Sequence, residues 1–244
     1  MSDTPQITLS VVSHGQGAIV RDLLADCRTI TGATFEIILT LNIPEDQGWI
    51  EAFSDLPIRI IENAVPKGFG ANHNAAFRQS TGGCFAIVNP DIRATPLDLA
   101  RLVSMVSDPR TGACAPLVLG PGGDIEDSAR FFPTFPRLLS RTLLGRRGAD
   151  YDLSGNSPVA VDWVAGMFVV FDRQAFASIG GFDDRRYFMY LEDADICQRL
   201  RRAGYEVLVD PTTRVVHHAQ RASRRSFRHL RWHAVSSLRF LTGL

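Results

Sequence analysis

Apolar residues along this chain fall into short continuous runs, separated by stretches in which they recur at helical spacing. Ile7–Ser13 (ITLSVVS) is rich in β-branched residues and stops at a polar turn, His14-Gly15-Gln16-Gly17. Ile19, Leu23, Leu24, Cys27 and Ile30 then recur at the intervals of an amphipathic helix. Phe35–Leu41 and Ile58–Ile61 read as further buried strands, Ala71–Gln79 as a helix, Cys84–Asn89 as a strand and Leu97–Val106 as a helix. From Pro116 to Pro158 the chain is rich in Gly, Pro and Ser and has little period before Leu138–Leu144. That segment reads as loops with one short helix and as a place for an acceptor site. Strand character returns at Val159–Trp163 and Met167–Asp172, and a short helix covers Gln174–Ile179. Tyr205–Val209 and Arg214–Val216 end the pattern.

Strands that are apolar throughout and alternate with helices predict an α/β domain, its mostly parallel sheet covered on both faces. Ligands of such sheets lie at the carboxyl ends of the strands, so the polar residues just after each strand are the candidates for chemistry. After the third strand, Gly68 and Gly70 allow close backbone approach, and the amides opening the next helix favour an anion. After the fourth, Asn89-Pro90-Asp91 puts two polar side chains on one side of an extended segment. A divalent ion bridging a diphosphate takes about one or two protein carboxylates, and Asp91 can supply one. An Asn-Pro-Asp turn that only caps the next element is the other reading. His217 and His218 face opposite ways on a strand, so at most one meets an ion, and imidazole suits Mn²⁺ better than Mg²⁺.

The densest chemistry is Tyr187–Arg199 (YFMYLEDADICQR), where three carboxylates fall within four positions at a helix start. Asp195 has Arg199 four residues on, the favourable order for a helical ion pair. Asp193 meets only Ile196 and Cys197 at those positions, which makes it a candidate general base. The alternative is that all three acids complement the helix dipole.

Composition adds an asymmetry. The 244 residues carry 26 basic and 26 acidic side chains, but Pro211–Leu244 holds seven Arg and no acid, leaving the first 210 residues at net −7. The tail from Arg221 to Leu244 reads as an amphipathic helix, with Phe227, Leu230, Trp232, Val235, Leu238 and Leu241 apolar and Arg224, Arg225, Arg228, Arg231 and Arg239 charged. It suits an anionic membrane surface or docking on its own domain. The acidic remainder argues against a nucleic-acid partner. Four scattered cysteines give no disulfide or metal framework. Without a signal-peptide core or an apolar run long enough to span a bilayer, the expected location is cytoplasmic, peripheral to the inner membrane face if the tail binds it.

The order of these motifs resembles the family 2 glycosyltransferases of the GT-A fold, and their rhamnosyltransferase-like bacterial members in particular. The matching residues are Ser13-His14, Asn63 with Gly68-Phe69-Gly70-Ala71-Asn72, Asn89-Pro90-Asp91, Val161–Gly166, Gly180-Gly181-Phe182-Asp183, Phe188–Asp195, and Pro211 with His217. The resemblance implies a GT-A-like domain over residues 1–220, about 1–115 as the nucleotide-binding half and about 116–220 as the acceptor half, with 221–244 a basic helix. It implies inverting transfer of a sugar, such as the deoxyhexose rhamnose, from a nucleoside-diphosphate donor to a glycan or lipid-linked acceptor in cell-envelope polysaccharide assembly. Asp193 is then the base, and Asp91 and His217 the ligands of a divalent cation, Mn²⁺ or Mg²⁺. Ser13, His14, Asn42, Asn63, Gly68, Gly70, Asn72, Asn89 and Asp91 are expected around the donor, and Trp163, Gly166, Tyr190 and Glu192 around the acceptor. Two positions depart from the family pattern. Leu41 stands where many relatives have a base-reading Asp, which leaves Asn42, Asp46 or Glu62 for that task. Asn89 stands where many have a first Asp. The rival readings are a sugar-nucleotide nucleotidyltransferase and a catalytically silent nucleotide- or glycan-binding domain.

Overall fold

A computed structural model describes residues 4–94, 96–137, 149–218 and 227–243. The expected Leu138–Leu144 helix lies outside them. Four strands, β1 (Ile7–Ser13), β2 (Phe35–Leu41), β3 (Ile58–Glu62) and β4 (Cys84–Val88), form a parallel block in the order β3-β2-β1-β4. The helices α1 (Gly17–Cys27) and α2 (Phe69–Gln79) connect its members, together with a 3₁₀ turn at Gly48–Phe53.

The second half is mixed. β10 (Phe168–Asp172) runs antiparallel between β4 and β6 (Thr111–Leu119), and β6 pairs in parallel with the long β11 (Glu206–His217). β5 (Ile92–Arg93) and β8 (Val159–Ala160) flank β11, while β7 (Ala129–Arg130) and β9 (Trp163–Val164) form a separate ribbon. The remaining helices are α3 (Ala100–Val106), α4 (Arg173–Ser178), α5 (Glu192–Arg202) and α6 (Phe227–Thr242).

The period-two pleat sends alternate strand residues into two cores. Ile37, Leu39, Ala86 and Val88 pack with α1 and α3 on one face, and Ile38, Phe85 and Ile87 pack on the other with α2, α4 and α5. Each fully buried Ile, Leu or Phe contributes about 1.5–3 kcal/mol, so both faces are firmly anchored.

The sequence pattern misses β6. Its Pro116 cannot donate to a ladder, which argues against an interior strand. Here the β10 pairing ends at Cys114, and Pro116 lies opposite Asp210, where β11 shifts register before Arg214. The same irregularity joins the two expected end strands into one. All four strands of the parallel block end at one edge, and that edge carries the site.

Candidate active site

At the carboxyl ends of β2 and β3 three asparagines form a closed network. Asn42 Oδ1 accepts from the Lys67 amide (2.8 Å) and from Asn63 Nδ2 (3.0 Å), while Asn42 Nδ2 donates to the Lys67 carbonyl (3.0 Å) and lies 3.2 Å from His14 Nδ1. Asn63 Nδ2 also donates to Asn72 Oδ1 (2.7 Å), and Asn72 Nδ2 to the Lys67 carbonyl (3.3 Å). All three are buried, so their side chains fix the Lys67–Gly68 loop. Ser13 is buried beside them and accepts from the Gln16 amide, which turns the chain into α1. The two glycines permit close approach, but to the chain itself. A Cβ on Gly68 would run into the Phe188 carbonyl, and one on Gly70 would lie 2.7 Å from Phe182 Cβ.

Beside this network is a cavity of about 350 Å³ lined by Leu41, Ile43, Pro44, Glu45, Gln47, Glu62, Asn63 and Ala64. Of the three residues left for base reading, Glu62 lines it. Asn42 is spent on the loop, and Asp46 Oδ1 caps the 3₁₀ turn at the Gly48 amide (3.2 Å).

At the end of β4, the β5–β11 ladder pairs Ile92 with His217, and the His218 amide donates to the Asp91 carbonyl (2.8 Å). This brings His217 Nε2 within 3.3 Å of Asp91 Oδ2 and leaves His218 exposed. His217 Nδ1 lies 2.8 Å from Glu126 Oε2. The hydrogen bond to Asp91, reinforced by Glu126, holds the imidazolium up to a pKa of about 9. Asp91 Oδ1 is buried and has no hydrogen-bond partner among the described residues. Among the described residues no group of three or more His, Cys, Asp or Glu is arranged to hold a metal ion. The donor chemistry still suits a divalent cation whose other ligands come from a substrate. One carboxylate oxygen is unspent, and one imidazole, which would ligate only on giving up its Nε2 proton, is oriented through its far nitrogen by a second carboxylate, the usual outer shell of a metal-binding histidine.

The antiparallel β4–β10 contact carries this edge to the acid motif. The Asn89 amide donates to the Met167 carbonyl (2.8 Å), and the adjacent Gly166 amide donates to Asp193 Oδ2 (3.1 Å). Asp193 Oδ1 accepts from the Ala194 amide (2.9 Å). Asp193 is part-buried, and the protein around its carboxylate raises its pKa, with the two amides and Arg130 pulling the other way. Burial, then the neighbouring Asp193 charge, pushes Glu192 up to about 8, and Glu192 Oε2 is buried with no partner. Two amides favour the ionised form of Asp193, and no such donor reaches Glu192 Oε2 among the described residues, so the surroundings favour the proton on Glu192 over the proton on Asp193. Asp195 has the expected ion pair, 2.7 Å from Arg199 Nε.

Around the base, Trp163 is buried with its Nε1–H donated to the Phe131 carbonyl (3.0 Å), and the Arg130 guanidinium stacks 5.2 Å from its ring. Tyr190 and Leu191 both adopt left-handed backbone, φ 73° and 62°. Each such non-glycine residue costs of order 1–3 kcal/mol and persists only where its surroundings hold it. The Tyr190 hydroxyl lies 2.7 Å from His229 Nδ1 on α6. The tail therefore docks on its own domain, through His229, Trp232, Ser236 and Phe240. Of the expected apolar stripe, Trp232 turns inward, while Leu230, Val235 and Leu238 are exposed. Glu126, Arg130, His229 and Ser236 escaped the sequence reading. Glu126 and Arg130 lie in an aperiodic segment, and polar residues on an amphipathic helix read as its solvent face.

The model of the family described as "Glycosyl transferase family 2" matches residues 8–173. The chain is 28% identical over 260 residues to "N-acetylglucosaminyl-diphospho-decaprenol L-rhamnosyltransferase" of Mycobacterium tuberculosis, covering 98% of this chain and 84% of that protein. It is 31% identical over 185 residues to "Rhamnosyltransferase WbbL" of Escherichia coli K12, covering 71% and 70%. Its fold matches the crystal structure of GalNAc-T7 with UDP, GalNAc and Mn²⁺ at a TM-score of 0.65 and 17% identity, over 88% of this chain and 43% of that one. It also matches the mannosyltransferase PcManGT from Pyrobaculum calidifontis with GDP-Man and Mn²⁺ at 0.62 and 20%, over 98% and 65%. The chain thus spans less than two thirds of each of these solved chains.

Proposed function

Because the chain belongs to glycosyl transferase family 2, we propose that it moves a deoxyhexose, rhamnose in the first instance, from a nucleoside-diphosphate donor to a lipid-linked glycan acceptor in cell-envelope polysaccharide assembly. The observation that carries the assignment is the Asp193 carboxylate. It is part-buried, has among the described residues no ion pair of the kind Arg199 gives Asp195, and is held by Gly166 next to the strand edge that bears Asp91.

In this reading the cavity by Glu62 and Asn63 takes the nucleobase, with Glu62 in the role left open by Leu41. Asp91 and His217 would hold a divalent cation, which when bound supplies Lewis-acid stabilisation of the departing diphosphate. Asp193 accepts the proton of the acceptor hydroxyl as that oxygen bonds to the anomeric carbon. The bond from that carbon to the diphosphate oxygen breaks with its electron pair leaving on the diphosphate, so the anomeric configuration inverts. A base with a raised pKa suits this task better than an ordinary carboxylate, since proton transfer is best near the working pH. Arg130, stacked on Trp163 and felt electrostatically by Asp193, offers a cation on the acceptor side.

Residues 1–220 serve as the catalytic domain, its halves dividing near residue 115, with the tail as an appended helix. No helix among the described residues is long and apolar enough to cross a membrane. The outward Leu230, Val235 and Leu238, beside the exposed Arg231, support contact with an anionic bilayer surface, where a lipid-linked acceptor resides. Incubation with labelled nucleoside-diphosphate rhamnose and a lipid-diphosphate N-acetylglucosamine acceptor tests the assignment. With the label on the sugar, label in the lipid fraction supports it, and label that stays in the donor, or that appears only as rhamnose 1-phosphate when pyrophosphate is supplied, overturns it.

A further inference from the structure

The three residues that lead into the acid pair are each gripped by the carboxyl-terminal helix. The Phe188 ring packs on Trp232 with centroids 4.8 Å apart, Ser236 Oγ donates to the Met189 carbonyl (2.9 Å), and the Tyr190 hydroxyl lies 2.7 Å from His229 Nδ1. The Tyr190 ring also packs against His233 at 5.3 Å. Ser236 is buried at this contact although the same helix exposes Leu230 and Leu238.

What these contacts hold is the left-handed pair Tyr190–Leu191. Leu191 is anchored in the core with Tyr187 and Ile196. The Tyr190 ring lies outside that core, so its partners on α6 are what keep it in place. The Leu191 carbonyl accepts the first helical hydrogen bond of α5, from the Asp195 amide (2.9 Å), and Asp193 lies within that turn. Relaxing Tyr190 to right-handed backbone would swing the turn and draw Asp193 away from the Gly166 amide. On the opposite side, the Phe188 carbonyl accepts from the Phe69 amide (3.0 Å) at the start of α2. One strained turn thus stands between the donor loop and the tail.

We propose that α6 is a positioning element for the catalytic base, with Tyr190, His229 and Ser236 holding the turn that aims the Asp193 carboxylate. This deepens the reading of Asp193 as the base and rests on it. It also gives the tail a task inside the reaction, separate from any contact with a membrane.

The test uses the full-length chain carrying His229→Ala with Ser236→Ala, and compares amide hydrogen exchange at Gly166 with exchange across β1 and β4. Release of the turn is expected to speed Gly166 exchange by about tenfold or more while the strands stay protected. The turnover number should fall by about tenfold or more, since small displacements of a catalytic group carry such losses. Nucleotide affinity should stay within about twofold, because donor binding does not use the base. His229→Asn, which keeps a hydrogen-bonding atom near the Nδ1 position, should recover most of the single-variant loss. If the double variant does not fold, Tyr190→Phe, which removes only the hydroxyl, is read the same way with an expected change of about threefold.

Unchanged exchange at Gly166 in a folded double variant overturns the inference, and so does exchange that rises equally across β1 and β4. A Gly166 response as expected, in a wild-type protein that transfers no sugar, upholds the mechanical coupling and defeats the sugar-transfer reading instead.

Discussion

Replacing Glu192 by Gln removes a titratable group while keeping its shape, and the consequences can be worked from its surroundings. Burial and the adjacent Asp193 lift its carboxyl from the ordinary 4.5 to about 8. Between those two values the folded chain keeps a proton that the unfolded chain has lost. Stability from this group is therefore complete below pH 4.5, declines as pH rises, and is gone above about 8. The slope is bounded by about 1.4 kcal/mol per pH unit. Glu192→Gln lacks this contribution, so its stability should fall less steeply. Urea denaturation of both proteins from about pH 5 to about pH 8 should show the wild type losing about 2–4 kcal/mol relative to the variant. A constant difference across that range would refute the reasoning. It would mean that Glu192 is ionised in the folded protein.

Glu126→Ala should weaken Mn²⁺ binding in the presence of a nucleoside diphosphate by about 10–100-fold, as loss of an outer-shell partner does, and paramagnetic resonance of free Mn²⁺ measures it. Unaltered affinity would remove Glu126 from the cation site. Gly68→Ala must push the donor loop off the Phe188 carbonyl and should cost of order 1–3 kcal/mol in denaturant unfolding, with weakened nucleotide binding by calorimetry. Asp195→Asn leaves Arg199 without its ion pair and should lose about 1–3 kcal/mol of stability while the residual fold keeps a measurable turnover. Equal stability would place that pair among the surface interactions that contribute little.

Most of the parallel block was legible because β1, β2 and β4 are buried on both faces; β3, expected as buried, is an edge strand with Ile60 exposed, and only its apolar run marked it. Ile7–Ser13 and Phe35–Leu41 are strands with the boundaries their apolar runs suggest. β6 was not, because Pro116 is forbidden in a regular interior strand and is admitted here by an irregularity in β11 that no local pattern announces. The partner of Asp195 was readable from helical spacing. Strand alternation said that one histidine of His217-His218 would face inward, but only the β5 ladder decides which. The glycines of the donor loop looked like room for a ligand, whereas their neighbours are Phe188 and Phe182, more than one hundred positions away in the chain. Long-range contacts of that kind leave no local trace. The tail was legible in part. Docking on its own domain was one of its two readings and Trp232 was in its apolar stripe, but His229 and Ser236 join the contact because what they meet is a strained turn with a hydroxyl and a carbonyl to satisfy.

Asp193→Asn removes the base and leaves the hydrogen-bonding shape, and comparing its sugar transfer with its nucleotide affinity bears most directly on the central claim. Transfer to the acceptor hydroxyl should fall by about 10²–10⁴-fold while the nucleotide dissociation constant measured by calorimetry stays near that of the wild type. A variant that keeps most of its transfer activity, or one that loses nucleotide binding in the same proportion, would contradict it.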